Sequence, residues 1–263
     1  MGDFVPITEK APRRLRYMIG PISDPLLKKI QTLIPDIGML LQPGEWRNAK
    51  CPVAFDNKAY TAHTNSTDTE LSESERLWWK DCWWDEQGES DWLKLLDKHN
   101  PLNPTLFAVL PDRVGDADAT LNLARRYEQE VRRRGIPIAM ALQNGCDFND
   151  ILSIRPDYVL VGGDDDFKRA TVGPACRCFL PLGIGVHVAR VNTETMIALA
   201  GQHGATSVDG TGLNRWLNSK LPKISKWLKR ERYEQFSLSG VEEVMRWRYN
   251  DFGSHGGGRN CLW

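Results

Sequence analysis

The chain has 263 residues, enough for one large domain with a substantial core and about the usual size of a β/α barrel. Its 34 basic and 34 acidic side chains cancel, and its six cysteines are scattered, which argues against a disulfide framework. The balance hides an asymmetry: residues 1–214 carry 24 basic and 29 acidic side chains, and residues 215–263 carry 10 and 5.

A basic end on an acidic body fits contact with a polyanion, and fits equally a solvated helical face. No apolar run is long enough to cross a membrane, and the opening MGDFVPITEK has no signal-peptide pattern, so a cytoplasmic protein is expected. Cys176 and Cys178 form a C-R-C pair without a second close pair or a well-spaced histidine, so no structural metal is expected.

In chain order, RYMIGP (16–21) reads as a first strand and SDPLLKKIQTLI (23–34) as a helix, with Ser23 as cap and Pro25 in the first turn. IGMLLQPG (37–44) and CPVAFDN (51–57) are further apolar runs. The segment 58–100 departs from this rhythm: TAHTNSTDTELSES reads as loop, followed by a helical stretch holding Trp78, Trp79, Trp83, Trp84 and Trp92. There Trp79 and Trp83 share a face, as do Leu77 and Trp84. These tryptophans can be core, a dimer contact or a stacking surface for bases.

The alternation resumes with TLFAVLPD (105–112) and a helix over 116–135, capped by Asp116 or Asp118 and stopped by Gly135. IPIAMALQNG, YVLVGG, GIGVHVA and TSVDGTG follow as strands, each before a helical segment. Apolar runs of this length alternating with helices predict a (β/α)8 TIM-like barrel with a Trp-rich insertion over about 58–100 and a basic C-terminal extension over about 215–263. An open doubly wound sheet is the alternative. The chain shows no internal repeat or linker, so a single domain over 1–263 is expected.

Polar residues stand just after these runs, and parallel strands bring their C-terminal ends to one mouth, where barrel enzymes keep their chemistry. Asp209, in S-V-D-G-T-G, can attack an electrophilic sugar carbon or cap a helix. Asp56 has the same pair of readings, as general acid/base or as cap. Asp112 can accept N–H donors from a bound heterocycle or serve a turn. Gln143 can offer an amide edge to a base, and Gly162 with Gly163 free backbone groups. Asn57 and His187 join them as substrate-binding candidates, although a histidine within an apolar run also suits a core or rim position. Asp164, Asp165 and Asp166 form an acidic run that reads as magnesium ligands or as a solvated loop.

The segments PVAFDN, LPDRVGDADATL, ALQNG, VGGDDDFK, GVHVARVNT and GATSVDGTG, spanning roughly 51–216, resemble the queuine/archaeosine tRNA-guanine transglycosylase superfamily. The closer resemblance is to its DNA-acting branch, the phage and bacterial 7-deazaguanine DNA transglycosylases (DpdA type). The resemblance implies that Asp209 holds a glycosyl–enzyme intermediate and that Asp56 manages protons on the departing and entering bases. It further implies that Asp112 and Gln143 read the base edge and that Gly162 and Gly163 supply its backbone contact.

The tRNA enzymes carry a C-x-C-x-x-C plus histidine zinc site beyond the barrel and a proline-threonine-arginine after the nucleophile. This chain carries neither, which favours DNA. The basic stretch Lys220, Lys223, Lys226, Lys229, Arg230 and Arg232, with Trp227, is then expected to track phosphates.

The function these residues imply is exchange of guanine in DNA for a 7-deazaguanine base, 7-cyano-7-deazaguanine above all, without ATP, redox cofactor or catalytic metal. The rivals are a tRNA-guanine transglycosylase and a catalytically silent nucleic-acid-binding barrel. The expected partners are DNA, guanine and the deazaguanine base, in the cytoplasm of a bacterium or phage-infected cell. Related enzymes often dimerise, and the tryptophan-rich 77–92 segment offers an interface for a homodimer.

Overall fold

The computed structural model describes residues 15–46, 49–101 and 104–230. Eight strands form one closed barrel in chain order, every neighbouring pair parallel, with the last strand returning to the first. They are β1 (Arg16–Ile19), β2 (Gly38–Leu41), β3 (Val53–Phe55), β4 (Thr105–Val109), β5 (Ile138–Leu142), β6 (Tyr158–Val161), β7 (Gly185–Val188) and β8 (Ser207–Asp209). The barrel is closed, so the open-sheet alternative does not apply.

The apolar runs are continuous because both strand faces are covered. Along β5, for example, all five residues are buried, with Ile138, Met140 and Leu142 facing the helices and Ala139 and Ala141 facing the barrel interior. The interior is filled by Met18, Ala54, Phe107, Val109, Ala139, Ala141, Leu160 and Ala189, a packed plug rather than a pore. Two interior glycines admit the large members: a Cβ at Gly38 would lie 2.5 Å from Met18 Sδ, and one at Gly185 would run into the Tyr158 ring.

The outer helices follow their capping chemistry. The helix α1 (Asp24–Gln31) starts after Ser23, which has the extended cap backbone but makes no side-chain cap bond. The helix pair after β3 is α2 (Ala59–Thr67) and α3 (Glu73–Leu77). The latter continues through two π-helical turns, Trp78–Cys82 and Trp84–Gly88, into α4 (Glu89–Leu96). After β4 comes α5 (Ala117–Arg132), capped by Asp116, whose carboxylate accepts from Ala119 N at 2.9 Å, while Asp118 sits in the first turn. Then follow α6 (Phe148–Ser153), α7 (Asp165–Phe179), α8 (Glu194–Gln202), α9 (Gly212–Arg215) and α10 (Leu217–Arg230). Among the described residues, no helix is long and apolar enough to cross a membrane.

The insertion differs from the expected loop. TAHTNSTDTELSES contains most of α2, which buries only Ala62 and so lacks the apolar stripe that announces a helix. Its hydroxyls fold back on the turn instead, Thr64 and Thr67 donating to carbonyls three and four residues earlier. A capping box between Ser72 and Glu75 then opens α3. Trp79 and Trp83 do share a face, their ring centroids 5.6 Å apart. Leu77 does not join Trp84, being 49% exposed, because the wider π-helical turns intervene. Trp83 and Trp92 are buried, and Trp84 packs between Trp92 and Tyr127 with its indole N–H 3.2 Å from the Tyr127 hydroxyl. Trp92 and Tyr127 belong to the main core and Trp84 packs against it, so these contacts join the insertion to the barrel's outer layer.

The basic extension begins as part of the barrel wall. Leu221, Ile224 and Ser225 of α10 are buried, and Ser225 Oγ donates to Leu33 O at 3.0 Å. The lysines at 220, 223, 226 and 229 fan across the opposite half of the helix, at 100° per residue. Arg232 and the side chain of Arg230 lie outside the described residues.

Candidate active site

All strands run the same way, so Asp56 follows β3, Asp112 follows β4, Gln143 follows β5, Gly162 follows β6 and Asp209 closes β8 around one rim. The three carboxylates feel one another: Asp209 raises the pKa of Asp56, and Asp56 raises that of Asp112. They therefore form one electrostatic unit, as the polar positions after the apolar runs suggest.

Asp209 is held from below. His187 on β7 places Nε2 2.9 Å from Asp209 Oδ1, and the backbone N–H of Arg190 donates to the same oxygen at 3.0 Å. Ser207 Oγ lies 2.8 Å from His187 Nδ1. In the neutral ring, Nε2–H donating to the acceptor-only carboxylate leaves Nδ1 to accept from the serine hydroxyl, so the chain Ser207–His187–Asp209 is satisfied throughout. Among the described residues, no donor reaches Asp209 Oδ2, and the side chain is 15% exposed. One oxygen is thus fixed while the other faces the mouth.

This geometry corrects the substrate-binding expectation for His187. The ring is fully buried with both nitrogens engaged, so it positions Asp209 and cannot reach a ligand. Behind the same carboxylate lies the buried Tyr17 hydroxyl, which finds no hydrogen-bond partner among the described residues. Burial first, then the charge of Asp209, pushes its pKa up. Gly210 leaves room for it: a Cβ there would lie 2.6 Å from Tyr17 Oη.

Asp56 meets Asp209 across the mouth. Gln42, just past β2, donates from Nε2 to Asp56 Oδ2 at 2.9 Å, and Asn57 N donates to Oδ1 at 2.8 Å. Burial and the negative charge of Asp209 nevertheless raise its pKa, against the pull of these donors. A carboxyl so placed holds a proton more readily than an exposed aspartate does.

Asp112 sits in a fork of amides. Asn57 Nδ2 donates to Oδ1 at 2.7 Å and Gln143 Nε2 to Oδ2 at 2.6 Å. Asn57 also donates to Leu110 O at 2.7 Å and accepts from Ala59 N at 2.8 Å, so it ties β3, the β4 end and α2 together. Gln143 accepts from Gly115 N at 3.1 Å. Both amides are nearly inaccessible, at 1% and 2% exposure. The expectation that Asn57 and Gln143 themselves face a ligand therefore changes: they brace Asp112, whose half-buried oxygens keep spare lone pairs. Burial pushes the Asp112 carboxyl up to about 6, with Asp56 adding to the rise and Asn57, Gln143 and the charge of Arg190 opposing it.

Each of the two glycines has one backbone group engaged. Gly162 N donates to Leu142 O at 3.2 Å, and the Gly163 carbonyl accepts the Arg190 guanidinium. Gly163 has φ 67°, and a Cβ there would meet the Phe167 ring at 2.6 Å and Asn144 Oδ1 at 2.8 Å, so glycine is required. The acidic run has structural work: Asp164 caps α7 through Phe167 N at 2.8 Å, and Asp165 pairs with buried Lys168 at 2.6 Å. Among the described residues, no group of three or more His, Cys, Asp or Glu side chains is arranged to hold a metal ion.

Arg190 escaped the sequence reading. It has φ 57°, its backbone N–H serves Asp209, and its guanidinium carbon lies 3.7 Å from the centre of the Tyr60 ring. Gln42, Tyr17, Ser207 and Tyr60 were missed as well. For Gln42 the signal was present, since it stands directly after a strand as Asp56 does.

Of the described lysines of α10, Lys220 is nearest the mouth, its Cγ and Cδ 3.9 Å from where a Gly212 Cβ would lie. Lys226 and Lys229 line a shallow depression with Leu33 toward the other end of the barrel. The stripe thus runs down the wall, with only its first member beside the carboxylates.

Fold and rim together define a (β/α)8 barrel with three coupled carboxylates at its C-terminal mouth. In comparison with known proteins, the chain matches no family model and no curated protein.

Proposed function

We propose that the protein exchanges guanine in DNA for a 7-deazaguanine base through a covalent aspartyl–glycosyl intermediate. The observation that carries this reading is the unequal environment of the carboxylates: Asp209 has one oxygen fixed and the other open, while Asp56 opposite has a raised pKa. Paired carboxyls in different surroundings divide nucleophilic and acid/base work.

In this mechanism a target deoxyguanosine turns out of the stack, because its glycosidic carbon is out of reach within a duplex. Asp209 Oδ2 attacks C1′, the C1′–N9 bond breaks, and its electron pair leaves with the base. Protonated Asp56 supplies the proton that releases the base as neutral guanine. A 7-deazaguanine then enters, gives its N9 proton to Asp56, and attacks C1′ as the Asp209 ester bond breaks. Two displacements at one carbon retain configuration. Asp112, ionised and braced by Asn57 and Gln143, accepts N–H donors from the base edge. DNA is favoured over tRNA because SVDGTG runs directly into α9 without the proline-threonine-arginine of the tRNA enzymes.

Incubating the protein with DNA or tRNA and 7-cyano-7-deazaguanine, then digesting to nucleosides for mass spectrometry, tests the reading. A modified deoxynucleoside is the expected product. A modified ribonucleoside alone moves the activity to tRNA, and no product from either polymer refutes exchange of this base.

A further inference from the structure

The mouth already contains a group that resembles the base it is proposed to bind. Arg190 sends a planar guanidinium over the Tyr60 ring, and the same group donates to the Gly163 carbonyl. Guanine carries a guanidine of its own, N1–C2(–NH2)–N3, in a flat ring with N–H donors along that edge. The Arg190 side chain thus presents the geometry and donors of that edge, on an aromatic face and a backbone acceptor at the rim.

The backbone makes this placement deliberate. Arg190 has φ 57°, in the left-handed region that non-glycine residues rarely occupy. That conformation aims its N–H at Asp209 and its side chain toward β6 and α2. Tyr60 itself is 43% exposed, a large aromatic at a polar mouth with the cation resting on it. Arginine suits the role because its plane stacks and its donors are fixed in a fork.

We propose that Arg190 is an internal stand-in for the base, occupying the stacking face of Tyr60 and the carbonyl of Gly163 in the free protein, and that a guanine-type base displaces it on entry. The proposal rests on the reading of the mouth as a base site. It makes Arg190 a specificity-determining residue: a ligand must offer the flat ring and N–H donors that replace the guanidinium. It also keeps the Gly163 acceptor hydrogen-bonded, the usual requirement for polar groups away from water.

The test is binding of 7-deazaguanine by calorimetry to the full chain and to its Arg190→Gly and Arg190→Asn variants. Both substitutes tolerate positive φ, so both retain the backbone N–H on Asp209, and melting temperatures establish that each is folded. Displacement predicts base affinity at least about fivefold tighter in both variants, the competition having been removed. Equal or weaker affinity in a folded variant overturns the proposal while leaving the base site intact. Absence of binding to wild type and both variants overturns the base-site reading and the proposal together, and wild-type affinity unchanged by Asp112→Asn sinks the reading by a separate route.

Discussion

At the scale of single residues, the site works by giving three aspartates different surroundings. Asp112 has its pKa near 6 against about 3.9 for a free aspartate, so the native state holds the proton more tightly than the unfolded chain. The sign follows: its contribution to stability is fully present below about pH 4 and is lost as pH rises through about 6, on the order of 2–3 kcal/mol. Denaturant unfolding from pH 4 to 7 should therefore show a shallower decline in Asp112→Asn than in wild type. The same ionisation governs binding, since only the carboxylate accepts from every base donor. Affinity for 7-deazaguanine is expected to tighten as pH rises from 5 to 7 in wild type and to stay flat in Asp112→Asn. The positions of Asp56, Asp112, Gln143 and Asp209 were legible because each follows a buried apolar run. Arg190 was not, because its importance comes from a positive φ that arginine rarely adopts. For His187 the sequence leaves a core position and a substrate contact both open, because it places the residue on a strand without saying that the ring lies beneath Asp209.

Among elements, strands were easier to read than the insertion. Parallel strands buried on both faces leave uninterrupted apolar runs, whereas α2 buries one alanine and is organised by side-chain-to-backbone bonds. The π-helical turns are equally silent in sequence, yet they carry the Lys80 carbonyl that accepts Arg113, next to Asp112. The insertion is thereby tied to the rim at both Asn57 and Arg113. Barrel closure depends on small interior residues, Gly185 most clearly. Gly185→Ala places a methyl against the rigid Tyr158 ring and should destabilise the fold by about 1–3 kcal/mol. Pairing it with Tyr158→Phe should give no relief, since the conflict is with the ring, whereas Tyr158→Leu should restore part of the loss; melting and denaturant curves report both.

At the scale of the whole molecule, the lysines of α10 lie along a path down the barrel wall rather than together at the mouth. From Lys220 to Lys229, α10 advances about 13 Å, and only Lys220 neighbours the loop after Asp209. A polynucleotide entering the mouth should feel Lys220 most. Lys220→Ala is expected to lower the slope of log affinity against log salt by about 1, and Lys229→Ala by less. Equal effects would place the polymer along the barrel wall. The central claim, however, concerns the covalent step. The protein should be incubated with guanine-containing DNA without an incoming base, denatured, and its adduct mapped by peptide mass spectrometry. A pentosyl adduct on Asp209, absent in Asp209→Asn and present when His187 and Asp56 are intact, is the predicted result. An adduct on another residue, or one that survives in Asp209→Asn, would contradict it.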